Sequence, residues 1–359
     1  MRRIVIKIGS NVLTRTDGTL DVTRISSIVD QVAAIKKAGC QVILVSSGAV
    51  ACGRSMLGSR HSARKLDTVQ QRQLYSAVGQ VRLIGIYSRM FRDWGLDVGQ
   101  VLTMKESFGT RREYLNQRSC MEVMLANDVI PIVNENDTVS VTELMFTDND
   151  ELSGLVASMM DADTLLILSN IDGIYNGSPR NSRSQVIRKV MPDDDLTQYI
   201  SSEKSGFGRG GMLTKSSIAR KVADEGIRVI IANGYTQDII RDIYLEQENV
   251  VCTEFVPRCE GVSSIKKWMA HSTDFTKGNV YIDANAEKVL TGKSAASLLP
   301  VGVTRIEGDF EEGDVVAIFN SNGRKIAIGK SAYASAEAQG VIGKHDCRPL
   351  IHYDYLYLI

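Results

Sequence analysis

The stretch Ile4-Val5-Ile6-Lys7-Ile8-Gly9-Ser10-Asn11 is a short β-branched run, interrupted by one lysine and closed by a glycine and two small polar residues. Five residues of that kind are too few for a buried helix and suit a strand covered on both faces. The glycine that follows leaves room for a ligand to approach the backbone. Similar runs recur at 42–46, 98–104, 130–134, 165–169 and 228–232. Between them, 23–38, 69–94, 114–127, 150–160 and 212–225 have helical period, and Gly39, Gly95 and Gly226 stand where helices stop. Strands alternating with helices predict an α/β fold with a mostly parallel central sheet sandwiched by helices. After about Glu254 the pattern changes to short strands broken by turns such as Glu307-Gly308-Asp309, Glu312-Gly313-Asp314 and Asn322-Gly323, with a short helix near the start. That pattern predicts a small C-terminal β-barrel-like domain. The expected division is a large domain over 1–257, a linker over 258–275 and the small domain over 276–359.

Bulk composition narrows the function. The 359 residues are 43% hydrophobic and 23% charged, which is ordinary globular material. With 42 basic and 42 acidic residues there is no global field to attract nucleic acid or anionic lipid. The six cysteines form no CxxC pair and read as reduced core thiols. The first residues, MRRIVIKIGS, lack the apolar length of a signal peptide or membrane span, so a cytoplasmic protein without membrane contact is expected.

In an open parallel sheet ligands bind beyond the carboxyl ends of the strands, and those ends are polar and glycine-rich here. Lys7 is either an edge residue with its ammonium in water or a cation at the mouth of the sheet. Ser46 to Gly53 is a run of small residues whose backbone N–H groups either serve close packing or turn toward an anion at a helix start. Asn134-Glu135-Asn136-Asp137 follows the fourth strand, and Thr147-Asp148-Asn149-Asp150-Glu151 heads an apolar helix. One of these acids serves as a cap; the two clusters together offer carboxylates for an ammonium group and amides for a carboxylate, which is what a free amino acid requires. Ser205 to Lys215 is a glycine-rich loop that runs into a helix with a lysine in its first turn, and it is either a surface loop or a phosphate cradle of other than Walker type. Four histidines are too few to favour a histidine metal site or a Ser-His-Asp triad. Two lysines, glycine loops and Asx clusters suit phosphoryl transfer, where the protein positions groups and neutralises charge.

Over nearly its whole length the chain resembles the amino acid kinase family, and within it the members that phosphorylate the side-chain carboxylate of glutamate. The resemblance is carried by IVIKIGSNVLT, VSSGAVACG, AVGQVRLI, PIVNENDTV, DNDELS, DGIY with Pro179-Arg180, and GFGRGGMLTK. The small domain resembles a PUA domain, notably at 278–283 and 297–302. The resemblance implies catalytic roles for Lys7, Lys215 and Asp150, with Asp150 holding the two lysines in position. It implies substrate binding by Ser47, Gly48, Asp137 and Asn149. It implies ATP binding by Lys7, Ser169, Asn170, Arg209, Gly210, Gly211, Met212, Leu213, Thr214 and Lys215, with Mg²⁺ carried on the ATP phosphates and no protein ligand named. Feedback by proline, hand-over to a glutamyl phosphate reductase, a place at the start of proline synthesis and a homodimer or homotetramer are also implied. The chain departs from the usual pattern at Ser169-Asn170, Ser178 and Arg209.

Three rival readings differ from this one; a catalytically dead amino-acid sensor is one, and the two retained lysines argue against it. A kinase of the same fold could use another acceptor, but a blocked amino group would have no use for the Asp137 carboxylate. An RNA-binding protein is the third, because PUA domains often bind RNA. From Thr276 onward there are nine Lys or Arg against ten Asp or Glu, a poor footprint for a phosphate backbone.

Overall fold

In the computed structural model, the described residues are 2–58, 66–139, 148–178, 181, 183–196, 199, 212–258, 268–269, 276–292 and 296–359. They fall into two compact units, one of Met1–Lys105 with Arg118–Gly261 and the other of Glu106–Gln117 with Val262–Ile359.

The first unit is built on an eight-stranded sheet. Its strands are β1 (Arg3–Ile8), β2 (Gln41–Ser46), β3 (Val98–Thr103), β4 (Ile130–Glu135), β5 (Thr164–Ser169), β6 (Lys189–Val190), β7 (Arg228–Asn233) and β8 (Cys252–Phe255), in the order β3-β4-β2-β1-β5-β7-β8-β6. All neighbours run parallel except β7 and β8. The six strands expected from sequence are present; β6 and β8, short and at the far edge, carried too few apolar residues to stand out. β1 lies centrally, pairing Lys7 with Val45 on one side and with Ile167 on the other. The chain builds leftward from β1 through β2 and β4, then crosses to β5, so the crevice at the carboxyl ends of β2, β1 and β5 is the ligand position of this topology.

The helices are α1 (Ser10–Leu13), α2 (Val22–Lys37), α3 (Ala49–Leu57), α4 (Thr68–Asp93), α5 (Arg111–Ala126), α6 (Asn149–Met159), α7 (Met212–Asp224) and α8 (Ile239–Tyr244). In α2 the buried Ile25, Ile28, Val29 and Val32 recur at helical spacing, the Asp21 carboxylate caps the first turn by accepting from Arg24 N, and Gly39 follows the end at φ 89°. This face packs on Ile6, Ile8, Leu44 and Leu168 in the main core. α4 opens with a capping box between Asp67 and Gln70.

Gly53 of α3 and Gly79 of α4 mark a backbone-to-backbone crossing. A Cβ on Gly53 would fall 1.9 Å from the Tyr75 carbonyl oxygen, and one on Gly79 would fall 1.9 Å from that of Ala49. Close packing at the small-residue run is therefore real, but it is helix against helix. Gly48, at φ 106°, sits one residue before α3 and turns the chain from β2 into it, a conformation that glycine adopts at little cost.

The second unit carries a five-stranded sheet of β9 (Gly278–Ile282), β10 (Val303–Gly308), β11 (Val315–Phe319), β12 (Lys325–Lys330) and β13 (Leu356–Leu358), ordered β10-β9-β11-β12-β13. Its own core joins Val280, Ile282, Val316, Ile318, Ala327, Leu350 and Ile351. The expected short helix is Ala284–Leu290, capped by Asp283; a second, Ser335–Val341, has too little apolar period to be read from sequence. Gly308, Gly313 and Gly323 all turn at positive φ, as the turn pattern requires. Trp268, buried in this unit, donates its indole N–H to the Phe108 carbonyl at 3.0 Å.

The helix crossing yields a paired test. Gly79→Ala should lower stability by about 2 to 3 kcal/mol, because the atoms in the way are backbone and cannot swing aside. Gly85→Ala, on the same helix with nothing within 4 Å of the new methyl, should be neutral or stabilising by up to about 1 kcal/mol. Urea melts of the two variants beside the parent chain read the contrast; equal effects would mean that the crossing is not the constraint.

Candidate active site

The carboxyl ends of β1, β2 and β4, with α1, α3, α4 and the head of α6, enclose a cleft of about 1110 Å³. Next in sequence to Asp148 and Asn149 of its lining, Asp150, with no exposed surface, lies between two ammonium groups: Lys7 Nζ is 2.6 Å from Oδ1 and Lys215 Nζ is 2.6 Å from Oδ2. Lys7 itself is only 5% exposed. Burial alone would raise the Asp150 pKa, but the two cations override it and hold the carboxyl at about 2, below its ordinary 3.8.

Local sequence explains how three distant residues meet. Lys7 projects from the central strand one residue before its end. Gly9 lets the chain pass close, its N–H donating to the Leu168 carbonyl while a Cβ there would stand 3.5 Å from Lys7 Nζ. Asp150 lies in the first turn of α6, and Lys215 in the first turn of α7. The two helices approach because α6 has Gly154, where a Cβ would crowd Ile218 and Val222 at 3.0 and 3.1 Å.

Asp148 is the cap of α6, accepting from Asp150 N at 2.9 Å and Glu151 N at 3.2 Å through Oδ1. Its other oxygen is buried and has no hydrogen-bond partner among the described residues. Burial, and then the Asp150 charge, raise its pKa to about 6, against the smaller pull of Lys7 and Lys215.

Beside this cluster runs an amide shelf. Asn149 Nδ2 donates to Ser47 Oγ at 2.9 Å and to Asn134 Oδ1 at 3.0 Å, while Asn134 Nδ2 donates to Gln80 Oε1 at 2.9 Å. Ser47, Gly48, Asn149 and Asp137 all line the cleft. Asp137, read from sequence as a carboxylate awaiting an ammonium group, already has a cation: Arg72 Nε donates to its Oδ1 at 2.8 Å, and Nη2 reaches the same oxygen and also Glu135 Oε2 at 3.2 Å. Sequence reasoning passed over Arg72, yet a signal existed. Arg72, Ser76 and Gln80 recur every four residues on α4 and form a polar stripe among buried Tyr75, Gly79, Leu83 and Tyr87, and each contacts the β4 cluster.

The nucleotide positions divide. Ser169 ends β5, and Asn170 follows it; Ser169 Oγ approaches Asn170 Oδ1 at 3.5 Å. Met212, Leu213 and Thr214 open α7 with Lys215. None of these residues lines the cleft, Lys215 included. Arg209, Gly210 and Gly211 lie outside the described residues, as do Pro179, Arg180, Thr147 and most of the expected linker.

Comparison with known proteins identifies the family. The model of the amino acid kinase family matches residues 2–233, and that of the PUA domain matches residues 278–352. The chain is 60% identical to glutamate 5-kinase of Bacteroides thetaiotaomicron, over 99% of this chain and 98% of that protein. It is 43% identical to glutamate 5-kinase of Chlorobaculum tepidum, over 100% of this chain and 98% of that one.

The buried charge of Asp148 gives a pH-dependent prediction. A carboxyl raised on folding binds more protons in the native than in the unfolded chain between about pH 4 and 6, so its cost is full above the folded value and fades as pH falls. Asp148→Asn keeps a capping oxygen and removes that cost. It should stabilise the protein by about 1 to 3 kcal/mol at pH 8, and the gain should shrink toward pH 5. Thermal melts across that range test it, and a gain independent of pH would contradict the assignment.

Proposed function

Given that the chain belongs to the amino acid kinase family, with a PUA domain after the kinase region, we propose that it transfers the γ-phosphoryl group of ATP to the side-chain carboxylate of L-glutamate. The observation that carries this reading is the Asp150 carboxylate shared by Lys7 and Lys215 at 2.6 Å each. Two ammonium groups gathered on one carboxylate concentrate positive charge at one place, and phosphoryl transfer needs such charge held in position before the reaction begins.

Lys7, Lys215 and Asp150 are the catalytic set. Ser47, Gly48, Asp137 and Asn149 hold the amino acid, the amides and the backbone at Gly48 receiving its α-carboxylate and Asp137 its ammonium group. Ser169, Asn170, Arg209 to Gly211 and Met212 to Lys215 hold ATP. The substrate γ-carboxylate is ionised near neutral pH, so no general base is required. One of its oxygens attacks the γ-phosphorus in line, the bond from phosphorus to the ADP oxygen breaks, and the products are L-glutamyl 5-phosphate and ADP. Lys7 and Lys215 stabilise the negative charge spread over the transferring oxygens. Mg²⁺ accompanies ATP and neutralises its phosphates. It would be held by the phosphates and water, since among the described residues no group of three or more His, Cys, Asp or Glu stands together to hold a metal ion.

The product is a labile acyl phosphate, which favours transfer to a reductase at the start of proline synthesis. L-Proline, an amino acid with the same α-groups, is the inhibitor expected at the amino-acid end of the cleft. A homodimer or homotetramer in the cytoplasm completes the reading. Among the described residues no helix is long and apolar enough to cross a membrane.

ADP release from MgATP with L-glutamate, N-acetyl-L-glutamate, L-aspartate and UMP in parallel, with hydroxylamine to trap acyl phosphate, tests the acceptor. Turnover and hydroxamate with glutamate alone are expected. Lys7→Ala should lower kcat about 10²- to 10³-fold, the range for losing one preorganised donor to developing charge; near-normal turnover would remove Lys7 from the catalytic set.

A further inference from the structure

Glu135 and Asp137 end and follow β4, and both are buried, at 5% and 7% exposed. Two carboxylates so placed cannot both stay ionised without a cation near them. Arg72, from the second turn of α4, is that cation. It takes Asp137 by Oδ1, through Nε at 2.8 Å and through Nη2, and it reaches Glu135 Oε2 at 3.2 Å. The remaining oxygen of Asp137, Oδ2, has one contact, the Ser76 hydroxyl at a long 3.4 Å. Arg72, Glu135 and Asp137 all line the cleft, together with Ser47 and Asn149.

We propose that Arg72 is the positioning residue of the amino-acid end of the cleft, clamping Asp137 by one oxygen so that the other is presented to the substrate ammonium. This rests on the glutamate kinase reading above and adds a residue that acts on binding and leaves chemistry alone, since Arg72 touches carboxylates that do not react. Burial pushes the Asp137 carboxyl up while Arg72 pulls it down, so loss of the guanidinium also leaves that carboxylate less able to stay ionised. Lysine restores the charge but lacks the planar fork that fixes one oxygen.

The test is steady-state kinetics of the full chain with MgATP and varied L-glutamate, for the parent, Arg72→Met, Arg72→Lys, Asp137→Asn and the Arg72→Met/Asp137→Asn double variant. Arg72→Met should raise KM for glutamate at least about tenfold, with kcat within about threefold and KM for MgATP within about twofold. Arg72→Lys should lie between parent and Met. In the Asp137→Asn background, Arg72→Met should add less than about twofold, because its effect passes through Asp137. A glutamate KM within about twofold of the parent overturns the proposal. So does a joint fall of kcat, both affinities and melting temperature, or a double variant in which the two losses multiply. If Arg72→Met does not fold, Arg72→Gln takes its place, and glutamate KM must then rise in the order parent, Lys, Gln at constant KM for MgATP. A parent chain that does not turn over glutamate would instead sink the kinase reading, and the role of Arg72 with it.

Discussion

A carboxylate with no access to water is tenable only if its charge is compensated where it stands, and Asp150 is compensated twice. Removing one member of such a cluster typically costs about 3 to 5 kcal/mol, most of it the penalty of an uncompensated buried charge. The rest of the kinase unit can be understood as the means of bringing these three groups together. The central strand carries one lysine, the head of α6 carries the acid, and the head of α7 carries the second lysine. Gly154 removes the side chain that would hold the two helices apart.

Two charge clusters are joined by the amide shelf. In one, two ammonium groups share one carboxylate; in the other, one guanidinium faces two carboxylates. Between them the neutral amides of Asn134 and Asn149 and the Ser47 hydroxyl are joined by hydrogen bonds of 2.9 to 3.0 Å. An amino acid whose ammonium group lies at the second cluster and whose reactive carboxylate points to the first is aligned between them before any chemistry occurs. Asp148, raised toward neutrality between the two, is the least settled charge in the cleft, and it is the one whose removal is expected to stabilise the fold.

Much of this was legible in the sequence, for physical reasons. Parallel strands covered on both faces must be apolar throughout, so β1, β2, β4, β5 and β7 announced themselves, and the polar residues after them marked the ligand edge. The family resemblance named the Lys7, Asp150 and Lys215 set, and the structure gives their distances. Short edge strands bury too little to leave a pattern, which is why β6 and β8 were silent. The Gly53 and Gly79 crossing was also out of reach, because a pair of glycines does not say which backbone each one meets. Arg72 was overlooked for a subtler reason: a single arginine on an amphipathic helix looks like a solvated residue, and only the four-residue repeat with Ser76 and Gln80 gives its face away. Asp137 consequently looked unpaired when it is not.

The shared carboxylate has a further consequence for the chemistry of the product. An acyl phosphate is an acylating agent, and a neutral amine beside it would capture the glutamyl group as a stable amide. The enzyme would then be permanently modified at the point where its product is born. On the proposed roles, Lys7 and Lys215 would be the amines nearest that point, and both sit in ion pairs with Asp150. An ammonium ion has no lone pair with which to attack an acyl group. The contact that would bring positive charge to the phosphates would thus also protect the catalyst from its own product.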